Sequence, residues 1–519
     1  MTSFISNSPL LPEILTLHGK WQAEKEAIIC EDQRVSWGEM IERVNQVANG
    51  LHLLGLKRGD YVGVLMSNSI EMAEVLLGIM LSGCVSVPIN TSVSDDAVKG
   101  MLKDANAKLV FISDDQFGRI DMTDYDKADD KSMIGICTGE GNDPWINYSS
   151  FKNAQSKKSP NLELDPDGHL NVIYSSGTTG LPKGIVHTHR GRRDWAYDLA
   201  IALRYHCNAR TLLTIGLYSN IMWVAMLPTL LAGGSLVIHK KFSPEAFLDT
   251  VEKEKITHTA MVPIQFQRVV ELQIEKQADV SSMHAMMSCG SPLHENIRRE
   301  LFNYFPCGIT ELYGLTEGII TTLQPEEAEG RWASGGRPLI GTDIKIVKDD
   351  DSEAAIGTTG EIVSRGRITM PGYLNRPLAN KEATYIDSDG KQWLRSGDIG
   401  KLDEQGYLYV VDRKKDMILS GGQNIYPQDI EAVLINHPNV DDVAIIAARS
   451  KCWGETPVAC VVQKNSSKSK EELLDWCNQR VGKQQRLADV ILVDELPRNP
   501  NGKILKRELR ADLGDYEYA

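Results

Sequence analysis

One stretch decides the predicted fold, Tyr174-Ser175-Ser176-Gly177-Thr178-Thr179-Gly180-Leu181-Pro182-Lys183-Gly184. An apolar segment, residues 170–173, precedes it and has the pattern of a buried strand. The glycines let the backbone approach a ligand closely, while the amides, the hydroxyls and the lysine suit phosphate oxygens. The stretch is not a Walker A loop, because Pro182 replaces the second glycine of that motif and Gly184 replaces its Ser or Thr. The sequence therefore predicts a strand followed by a phosphate-binding loop of another type.

Strand and helix patterns alternate on both sides of this stretch, over residues 36–112 and again over 170–312. On the N-terminal side, Ser36 precedes a helical apolar pattern that stops at Gly55. Such alternation predicts a parallel sheet with helices on its faces. Residues 114–167 are polar and show little periodicity, so we expect a surface excursion there.

The C-terminal part of the chain changes character twice. Residues 340–411 show short strands separated by Gly and Asp turns, which indicates a mainly β subdomain. A charged run at 412–416 then leads into a helix–strand–strand–helix–strand pattern. The predicted fold class is therefore α/β. It has a large N-terminal domain (1–412) with helix-flanked sheets and a β subdomain, and a small α+β C-terminal domain (413–519).

The composition argues against several classes of protein. The 519 residues include 56 Lys plus Arg and 70 Asp plus Glu, which gives a formal charge of −14. Binding to nucleic acid or to an anionic membrane needs clustered positive charge, which this balance disfavours. The nine cysteines form no CxxC pair, so a zinc knuckle or a thioredoxin-like site is not supported.

The sequence shows no signal-peptide pattern at its start, and one segment has the length of a membrane span. This segment, residues 221–238, is interrupted by Pro228, Gly233 and Gly234. We therefore expect a buried helix followed by a buried strand, in a cytoplasmic protein.

Five further motifs follow the predicted phosphate-binding loop in order. They are Tyr313-Gly314-Leu315-Thr316-Glu317, Ser396-Gly397-Asp398, Asp412-Arg413-Lys414-Lys415-Asp416, Gly421-Gly422-Gln423-Asn424-Ile425-Tyr426-Pro427 and Leu496-Pro497-Arg498-Asn499-Pro500-Asn501-Gly502-Lys503-Ile504. The series resembles that of the adenylate-forming superfamily, which includes acyl-CoA synthetases, peptide-synthetase adenylation domains and beetle luciferases. It is most similar to the series of AMP-forming acid–CoA ligases. The resemblance implies that ATP, Mg²⁺ and coenzyme A are the cofactors.

The resemblance also assigns a nucleotide site. The residues that it places at the phosphates are Ser175, Ser176, Gly177, Thr178, Thr179, Gly180 and Lys183. Tyr313 would lie against the adenine, and Thr316 and Glu317 near the phosphates. A carboxylate beside a phosphate needs a cation between them, so Glu317 is the predicted magnesium ligand. Asp398 can accept hydrogen bonds from both ribose hydroxyls, and Arg413 would support the same sugar.

The motifs nearest the C-terminus imply a moving domain. In the family, the lysine that matches Lys503 bridges the substrate carboxylate and the α-phosphate, where it stabilises negative charge. Lys415 falls at the hinge of the mobile C-terminal domain. Gly421 and Gly422 would line the passage for the pantetheine arm of coenzyme A, and Gly290 is a further predicted cofactor-binding residue.

The acid pocket implied by the resemblance draws on residues 216–223, 262–265 and 288–291, which are largely apolar. No Asp or Glu occurs from 211 to 228, so the pocket lacks a partner for the ammonium group of an amino acid. A hydrophobic acid, aliphatic or aryl, fits better.

Two residues of this predicted pocket, Met222 and Trp223, could instead be ordinary core residues that do not contact the acid. Ser219 stands where many family members carry a histidine, in a segment that reads Gly216-Leu217-Tyr218-Ser219 here.

We therefore expect an AMP-forming acid–CoA ligase that acts on a hydrophobic acid of the fatty or medium-chain type. The alternatives are an aryl or phenylpropanoid acid–CoA ligase, a stand-alone adenylation enzyme that loads a free carrier protein, a luciferase-like oxygenase and a non-catalytic nucleotide-binding module. The expected partners are the carboxylic acid, ATP and coenzyme A, without nucleic acid or a membrane span. A homodimer is a further possibility that the sequence leaves open.

Overall fold

The computed structural model describes residues 8–122, 133–140, 143–160, 162–175, 182–420, 423–464, 469–499, 502–513 and 517–518. The chain forms two compact units. Unit 1 comprises Met1–Trp332, Pro338–Asp343 and Arg365–Glu382, and unit 2 comprises Ala333–Arg337, Ile344–Ser364 and Ala383–Ala519. The domain boundary predicted between residues 412 and 413 falls inside unit 2 and stays a prediction.

The helices and strands are numbered here in chain order. The helices are α1 (Leu11–Trp21), α2 (Trp37–Leu53), α3 (Ile70–Ser82), α4 (Asp95–Asp104), α5 (Tyr148–Asn153), α6 (His189–Ala202), α7 (Asn220–Ala232), α8 (Pro244–Glu254), α9 (Pro263–Lys276), α10 (Glu295–Tyr304), α11 (Pro377–Glu382), α12 (Pro427–Leu434), α13 (Lys470–Asn478) and α14 (Lys506–Leu513). The strands of the first half are β1 (Glu26–Cys30), β2 (Gln33–Ser36), β3 (Tyr61–Leu65), β4 (Val85–Pro88), β5 (Leu109–Ile112), β6 (Ile134–Cys137), β7 (Ile146–Asn147), β8 (His169–Tyr174), β9 (Gly184–Thr188), β10 (Arg210–Leu213), β11 (Ser235–Ile238) and β12 (His258–Met261). The remaining strands are β13 (Ala285–Ser288), β14 (Thr310–Leu315), β15 (Ile319–Leu323), β16 (Arg337–Pro338), β17 (Thr342–Val347), β18 (Gly360–Gly366), β19 (Thr384–Ile386), β20 (Gln392–Leu402), β21 (Leu408–Arg413), β22 (Ile418–Ser420), β23 (Gln423–Ile425), β24 (Val440–Ser450), β25 (Gly454–Gln463), β26 (Asp489–Leu492) and β27 (Glu517–Tyr518).

Unit 1 is built on two sheets whose inner strands run parallel. The seven-stranded sheet has the order β7-β6-β5-β3-β4-β8-β9, and β9 joins its edge antiparallel to β8. The larger sheet has the order β16-β15-β14-β13-β12-β10-β11-β1-β2, and its β14–β15 and β1–β2 pairs are antiparallel. One hydrophobic cluster joins residues of both sheets to helices α2, α3, α6 and α7. This arrangement confirms the α/β prediction.

Unit 2 contains two smaller sheets. One has the order β17-β18-β20-β19, with β21 paired to β20, and its pairs with β20 are antiparallel. The other has the order β23-β22-β25-β24-β27, with β26 paired to β25. Helices α12 and α13 bury Ile430, Leu434, Leu473 and Cys477 in the core on this second sheet. The predicted β subdomain and the predicted α+β pattern after it are both present.

Local sequence explains several element boundaries. The Ser36 hydroxyl accepts from the Glu39 amide at 3.3 Å, and the Glu39 carboxylate accepts from the Ser36 amide at 3.0 Å, so a capping box begins α2. Helix α7 and strand β11 occupy the apolar segment 221–238, as predicted, and Gly233 ends the helix with a φ of 73°. Among the described residues, none of the helices is both long enough and apolar enough to cross a membrane.

The expectation of a surface excursion over residues 114–167 is wrong for the described residues between 133 and 153. Strand β6 extends the seven-stranded sheet parallel to β5, and β7 pairs with β6. Helix α5 buries Tyr148 and Phe151 in the main core. A four-residue strand and a six-residue helix are too short to produce a clear period, so the pattern alone did not separate them from a loop.

Candidate functional site

The predicted phosphate-binding loop connects β8 to β9 at one edge of the seven-stranded sheet. The Ser175 amide donates to the Lys183 carbonyl at 3.0 Å, and the Lys183 amide donates to the Ser175 hydroxyl at 3.3 Å. These two bonds close the base of the loop. The predicted residues Ser176, Gly177, Thr178, Thr179 and Gly180 lie outside the described residues.

The second predicted motif forms the turn between β14 and β15. Tyr313 pairs with Thr321 on β15, and Thr316 and Glu317 follow at the tip. Gly318 has a φ of 99°, and a Cβ added there would lie 2.1 Å from the Ile368 carbonyl oxygen. The Glu317 carbonyl accepts from the Met370 amide at 2.8 Å. Only glycine fits this close approach, so the backbone fixes the position of Glu317.

Tyr373 brings these two motifs together. Its hydroxyl donates to the Glu317 carboxylate at 3.0 Å, and the Lys183 ammonium lies 5.0 Å from the centre of its ring. The segment around Tyr373 pairs with β9, because the Leu374 amide donates to the Gly184 carbonyl at 2.7 Å. Burial and the neighbouring Glu317 raise the pKa of Tyr373, so its hydroxyl stays protonated as a donor. Tyr373 was not predicted from the sequence, and the Pro371-Gly372 pair before it is the signal that could have found it.

The group around Glu317 fits a magnesium ion held mainly by phosphates and water. Carboxylate and hydroxyl oxygens, from Glu317 and Thr316, are the ligands that Mg²⁺ prefers. No group of three or more His, Cys, Asp or Glu side chains in the described part of the chain could hold a metal by itself. Mg²⁺ commonly binds through one or two carboxylates plus substrate phosphates, so a single carboxylate suffices.

In unit 2, the predicted ribose ligands form a cross-strand pair. Asp398 on β20 lies opposite Arg413 on β21, and the Arg413 Nε lies 3.4 Å from the Asp398 carboxylate. The Asp398 amide donates to the Ser396 hydroxyl at 2.9 Å, and Gly397 has a φ of 70°. The motif Ser396-Gly397-Asp398 is therefore a bulge-like turn inside a long strand that fixes the direction of the carboxylate.

Lys503 lies in the same unit and is partly buried. Its loop is closed by two bonds to Asn499: the Lys503 amide donates to the Asn499 side chain at 2.9 Å, and the Asn499 amide donates to the Lys503 carbonyl at 2.8 Å. The pKa of the Lys503 ammonium is lowered to about 7, mainly by burial and next by the positive charge of Arg413, while the negative charge of Asp398 acts in the opposite direction. The structure therefore brings Lys503, Asp398 and Arg413 into one electrostatic group.

The predicted hinge residue Lys415 belongs to the same surroundings. Burial and the charge of Arg413 lower the pKa of its ammonium. Asp412, three residues earlier, accepts from the Arg413 amide at 2.7 Å and from the Gln428 amide at 3.1 Å, and burial raises its pKa to about 6. Gly421 and Gly422 lie outside the described residues.

The first predicted acid-binding segment, residues 216–223, contains both buried core residues and half-buried residues. Leu217, Met222 and Trp223 belong to the main hydrophobic cluster, in line with the alternative interpretation of the last two. The Trp223 indole donates to the Leu217 carbonyl at 2.9 Å, and the Asn68 side chain accepts from the Leu217 amide at 2.8 Å. Three other residues of this segment, Gly216, Tyr218 and Ile221, are half-buried.

Gly290 follows the end of β13 in the larger sheet, and β13 pairs with β12. It is exposed and has a φ of 98°, a conformation that favours glycine. The preceding Cys289 amide donates to the Met261 carbonyl at 3.2 Å, so the end of β13 is held against β12.

Comparison with known proteins matches most of the chain. Residues 17–374 match the family model of the AMP-binding enzyme, and residues 429–503 match that of the AMP-binding enzyme C-terminal domain. The described members of the motif series fall within or between these two ranges, except Ile504, which follows directly after the second.

Individual relatives cover nearly the whole chain. The chain is 31% identical over 489 residues to the long-chain-fatty-acid–CoA ligase FadD13 of Mycobacterium tuberculosis, which covers 92% of this chain and 93% of that protein. It is also 31% identical over 488 residues to the feruloyl-CoA synthase of an Amycolatopsis species, with 92% and 94% coverage. The solved structure of o-succinylbenzoate CoA synthetase (MenE) from Bacillus subtilis, in complex with the acyl-adenylate intermediate OSB-AMP, superposes with a TM-score of 0.84. It is 27% identical and covers 99% of this chain and 100% of that chain. The chain therefore belongs to the AMP-binding enzyme family, the adenylate-forming enzymes, and its type within that family is the AMP-forming acid–CoA ligase.

Proposed function

We propose that this ligase activates a carboxylic acid with a mainly apolar body, of the fatty or medium-chain type, and transfers its acyl group to coenzyme A. As an AMP-forming acid–CoA ligase it uses ATP with Mg²⁺. The observation that carries the proposal is the juxtaposition of Lys183 and Glu317 on Tyr373. A cation beside a carboxylate suits the binding of phosphate together with Mg²⁺.

In the first half-reaction, a carboxylate oxygen of the substrate attacks the α-phosphorus of ATP, and pyrophosphate leaves. Lys183 and Ser175, at the base of the loop, hold the β- and γ-phosphates, and Tyr313 lies against the adenine. Bound Mg²⁺ supplies charge neutralisation at the phosphates, and Glu317 and Thr316 are its protein ligands. Lys503 stabilises the charge that builds up on the α-phosphate, and Asp398 with Arg413 holds the ribose. Electrostatic stabilisation of this kind is the main protein contribution to attack on phosphorus.

In the second half-reaction, the thiol sulfur of coenzyme A attacks the carbonyl carbon of the acyl-adenylate. The thiol loses its proton, the bond from the carbonyl carbon to the AMP oxygen breaks, and AMP leaves. We expect the C-terminal part, residues 413–519, to move about Lys415 between the two steps, so that Gly421 and Gly422 replace Lys503 at the site. Both steps depend on positioning and need no covalent bond to the enzyme.

The apolar character of the acid is argued from the segment around the start of α7. Residues 211–228 contain no Asp or Glu, and Leu217, Met222 and Trp223 pack into the apolar core there. A charged amine would lose its hydration there without gaining a partner, which disfavours an amino acid. An aryl acid is the second candidate, and the similarity to a feruloyl-CoA synthase favours it.

The test is product analysis by mass spectrometry. The purified protein is incubated with ATP, Mg²⁺ and coenzyme A, together with a panel of short-, medium-, long-chain and aryl acids. We expect AMP and one dominant acyl-CoA from an apolar acid. AMP with acyl-adenylate but no thioester would point instead to a free carrier protein as acceptor, and a parallel reaction with such a protein checks this. No AMP with any acid would contradict the proposed activity.

A further inference from the structure

Arg192 is a fully buried cation in unit 1. It lies in the first turn of α6 and has no solvent-exposed surface. Its Nε donates to the Asn171 side-chain oxygen at 3.0 Å, and its Nη2 donates to the Asn220 side-chain oxygen at 3.0 Å. The guanidinium carbon lies 4.4 Å from the ring centre of Trp195 and 5.1 Å from that of Trp223. Every one of these partners is uncharged.

The other arginines of the same helix are paired with carboxylates. Arg190 lies 2.8 Å from Asp167, and Arg193 lies 2.8 Å from Asp194. Arg192 makes no ion pair with any described residue, although it is the most buried of the three. The helix dipole adds to the cost, because the first turn of a helix carries partial positive charge.

The charge of Arg192 cannot be removed by loss of a proton. Burial lowers the pKa of the guanidinium well below its ordinary value, and no neighbouring carboxylate offsets this effect. An arginine side chain nevertheless remains protonated in proteins. Burial of an unpaired charge is strongly unfavourable, so the cation lacks a compensating anion in this arrangement.

Unsatisfied donors surround the guanidinium. The atoms without a hydrogen-bond partner include Arg192 Nη1, Asn171 Nδ2 and Trp195 Nε1, which are all donors. His187 lies opposite Asn171 on the neighbouring strand, 5.4 Å from Trp195 between ring centres, and its Nε2 is also unpaired. Burial and the charge of Arg192 lower the pKa of His187, so this imidazole is neutral. Buried polar groups are almost always hydrogen-bonded, so this donor cluster matches an acceptor-rich ligand.

The donor cluster adjoins the segment assigned to acid binding. Asn220, which accepts from Arg192, is the first residue of α7 and is half-buried. Trp223 lies one turn further along the same helix. Gly216 and Tyr218, which precede them in the same segment, are half-buried as well. The cluster therefore contacts that segment through Asn220 and Trp223.

We propose that this cluster of Arg192, Asn171, His187 and Trp195 binds a second carboxylate of the substrate, so that the acid is a dicarboxylic acid with an apolar body. This proposal rests on the proposed function, in which the other carboxylate is adenylated. One oxygen of the distal carboxylate accepts from Arg192 Nη1, and the other from the Asn171 amide or the Trp195 indole. Hydrogen bonds between ionised partners are about twice as strong as neutral ones, which makes an anion the preferred occupant over a neutral acceptor.

The test compares matched acids that differ only at the far end. The first pair is octanoate and octanedioate, and the second is 3-phenylpropanoate and 3-(4-carboxyphenyl)propanoate. In the wild-type enzyme, kcat/KM for AMP formation should be higher for the diacid of at least one pair, by about tenfold to a hundredfold for a charged hydrogen bond. Arg192→Leu should remove this preference, which is measured as the ratio of kcat/KM for the diacid to kcat/KM for the matched monoacid in the same variant.

Two further variants keep the outcome interpretable. Arg192→Lys retains the charge, and we expect it to restore part of the diacid preference. Arg190→Leu is the matched control, because Arg190 is exposed on the same helix and should leave the preference unchanged. A wild-type preference for monoacids in both pairs, or an equal loss with mono- and diacids in Arg192→Leu, would overturn the proposal while the ligase activity stands.

A binding experiment separates this proposal from the proposed function. If no acid yields AMP, the proposed function fails, and diacid binding is then measured by calorimetry on the same proteins. Tighter binding of octanedioate than of octanoate, lost in Arg192→Leu, would support the anion site alone. Equal binding of the diacid by wild type and Arg192→Leu would overturn it.

Discussion

Lys503 in unit 2 and Arg192 in unit 1 are both cations in places where burial penalises charge, but their surroundings differ. Lys503 is partly buried among Arg413, Lys415, Asp398 and Asp416, and the balance holds its pKa near 7. Arg192 is fully buried among neutral amides and aromatic rings. The lysine lowers its electrostatic cost by releasing a proton, whereas the arginine keeps its charge.

The difference between a titratable and a permanent buried charge suggests that Lys503 and Arg192 have different functions. A cation with a pKa near the working pH responds to a passing negative charge, which suits a group needed in one half-reaction and withdrawn from the next. A permanent buried charge is constant, which suits recognition of a permanent charge on a ligand. The following experiments separate the two roles, beginning with the largest expected effect.

Removal of the Lys503 ammonium should nearly abolish adenylation. In Lys503→Ala, we expect the rate of adenylate formation to fall by about a thousandfold or more, the range seen for a cation that stabilises phosphoryl transfer. Thioester formation from supplied acyl-adenylate should be retained. Pyrophosphate release and acyl-CoA formation are measured separately, with Lys470→Ala, an exposed lysine of the same unit, as the control. Equal loss of both half-reactions would contradict the proposed division of labour.

The pH dependence of adenylation should reveal the lowered pKa. Lys503 is charged below its pKa of about 7 and neutral above it, so kcat/KM for ATP should fall about tenfold per pH unit above that value. Lys503→Arg, which stays charged, should remove this alkaline fall even if its maximum rate is lower. The profile is recorded from pH 5.5 to 9.5 by pyrophosphate release. A wild-type profile that is flat up to pH 9.5 would show that the charge of Lys503 is not needed.

A smaller effect on the rate is expected from substitutions at Glu317 and Tyr373, the two residues beside the Lys183 ammonium. Glu317→Gln removes the negative charge of the carboxylate that we propose as the Mg²⁺ ligand. It should raise the Mg²⁺ concentration needed for half-maximal rate by about tenfold to a hundredfold. Tyr373→Phe removes the donor to Glu317 but keeps the ring under Lys183, so the shift should be only a few fold. Magnesium titrations at saturating ATP measure both. An unchanged magnesium requirement in Glu317→Gln would remove it as a metal ligand.

Lys503 and Arg192 also differ in how well their roles could be predicted from the sequence. Lys503 and Asp398 belong to short contiguous motifs, so their positions follow from local sequence. Arg192 stands in the run His189-Arg190-Gly191-Arg192-Arg193, which has the pattern of a solvated basic segment. Its burial depends on Asn171 and Asn220, which lie 21 and 28 positions away, and no local pattern encodes that contact.

The fold shows the same distinction. The long periodic helix α2 was predicted with nearly its observed bounds, because one turn of pattern reinforces the next. The short elements β6 and α5 were missed, since their place is set by neighbours rather than by their own period. Tyr373 was missed for a similar reason, because it reaches Glu317 across 56 positions.

The smallest expected effect concerns stability, and it compares the two cations directly. Arg192→Leu should leave the melting temperature within a few degrees of wild type, because removal of the unpaired buried charge offsets the loss of the donor to the Asn171 and Asn220 side-chain oxygens. This small difference should be independent of pH. Lys503→Met should raise the melting temperature, and this gain should be constant below pH 7 and shrink between pH 7 and 10.5, because there the unfolded wild type binds more protons than the folded one and wild-type stability rises with pH. Calorimetric melts at pH 6.5 and 9.5 measure both differences. A large loss of stability in Arg192→Leu at both pH values would instead make Arg192 a structural residue, held by the two tryptophans and the two amides rather than reserved for a ligand.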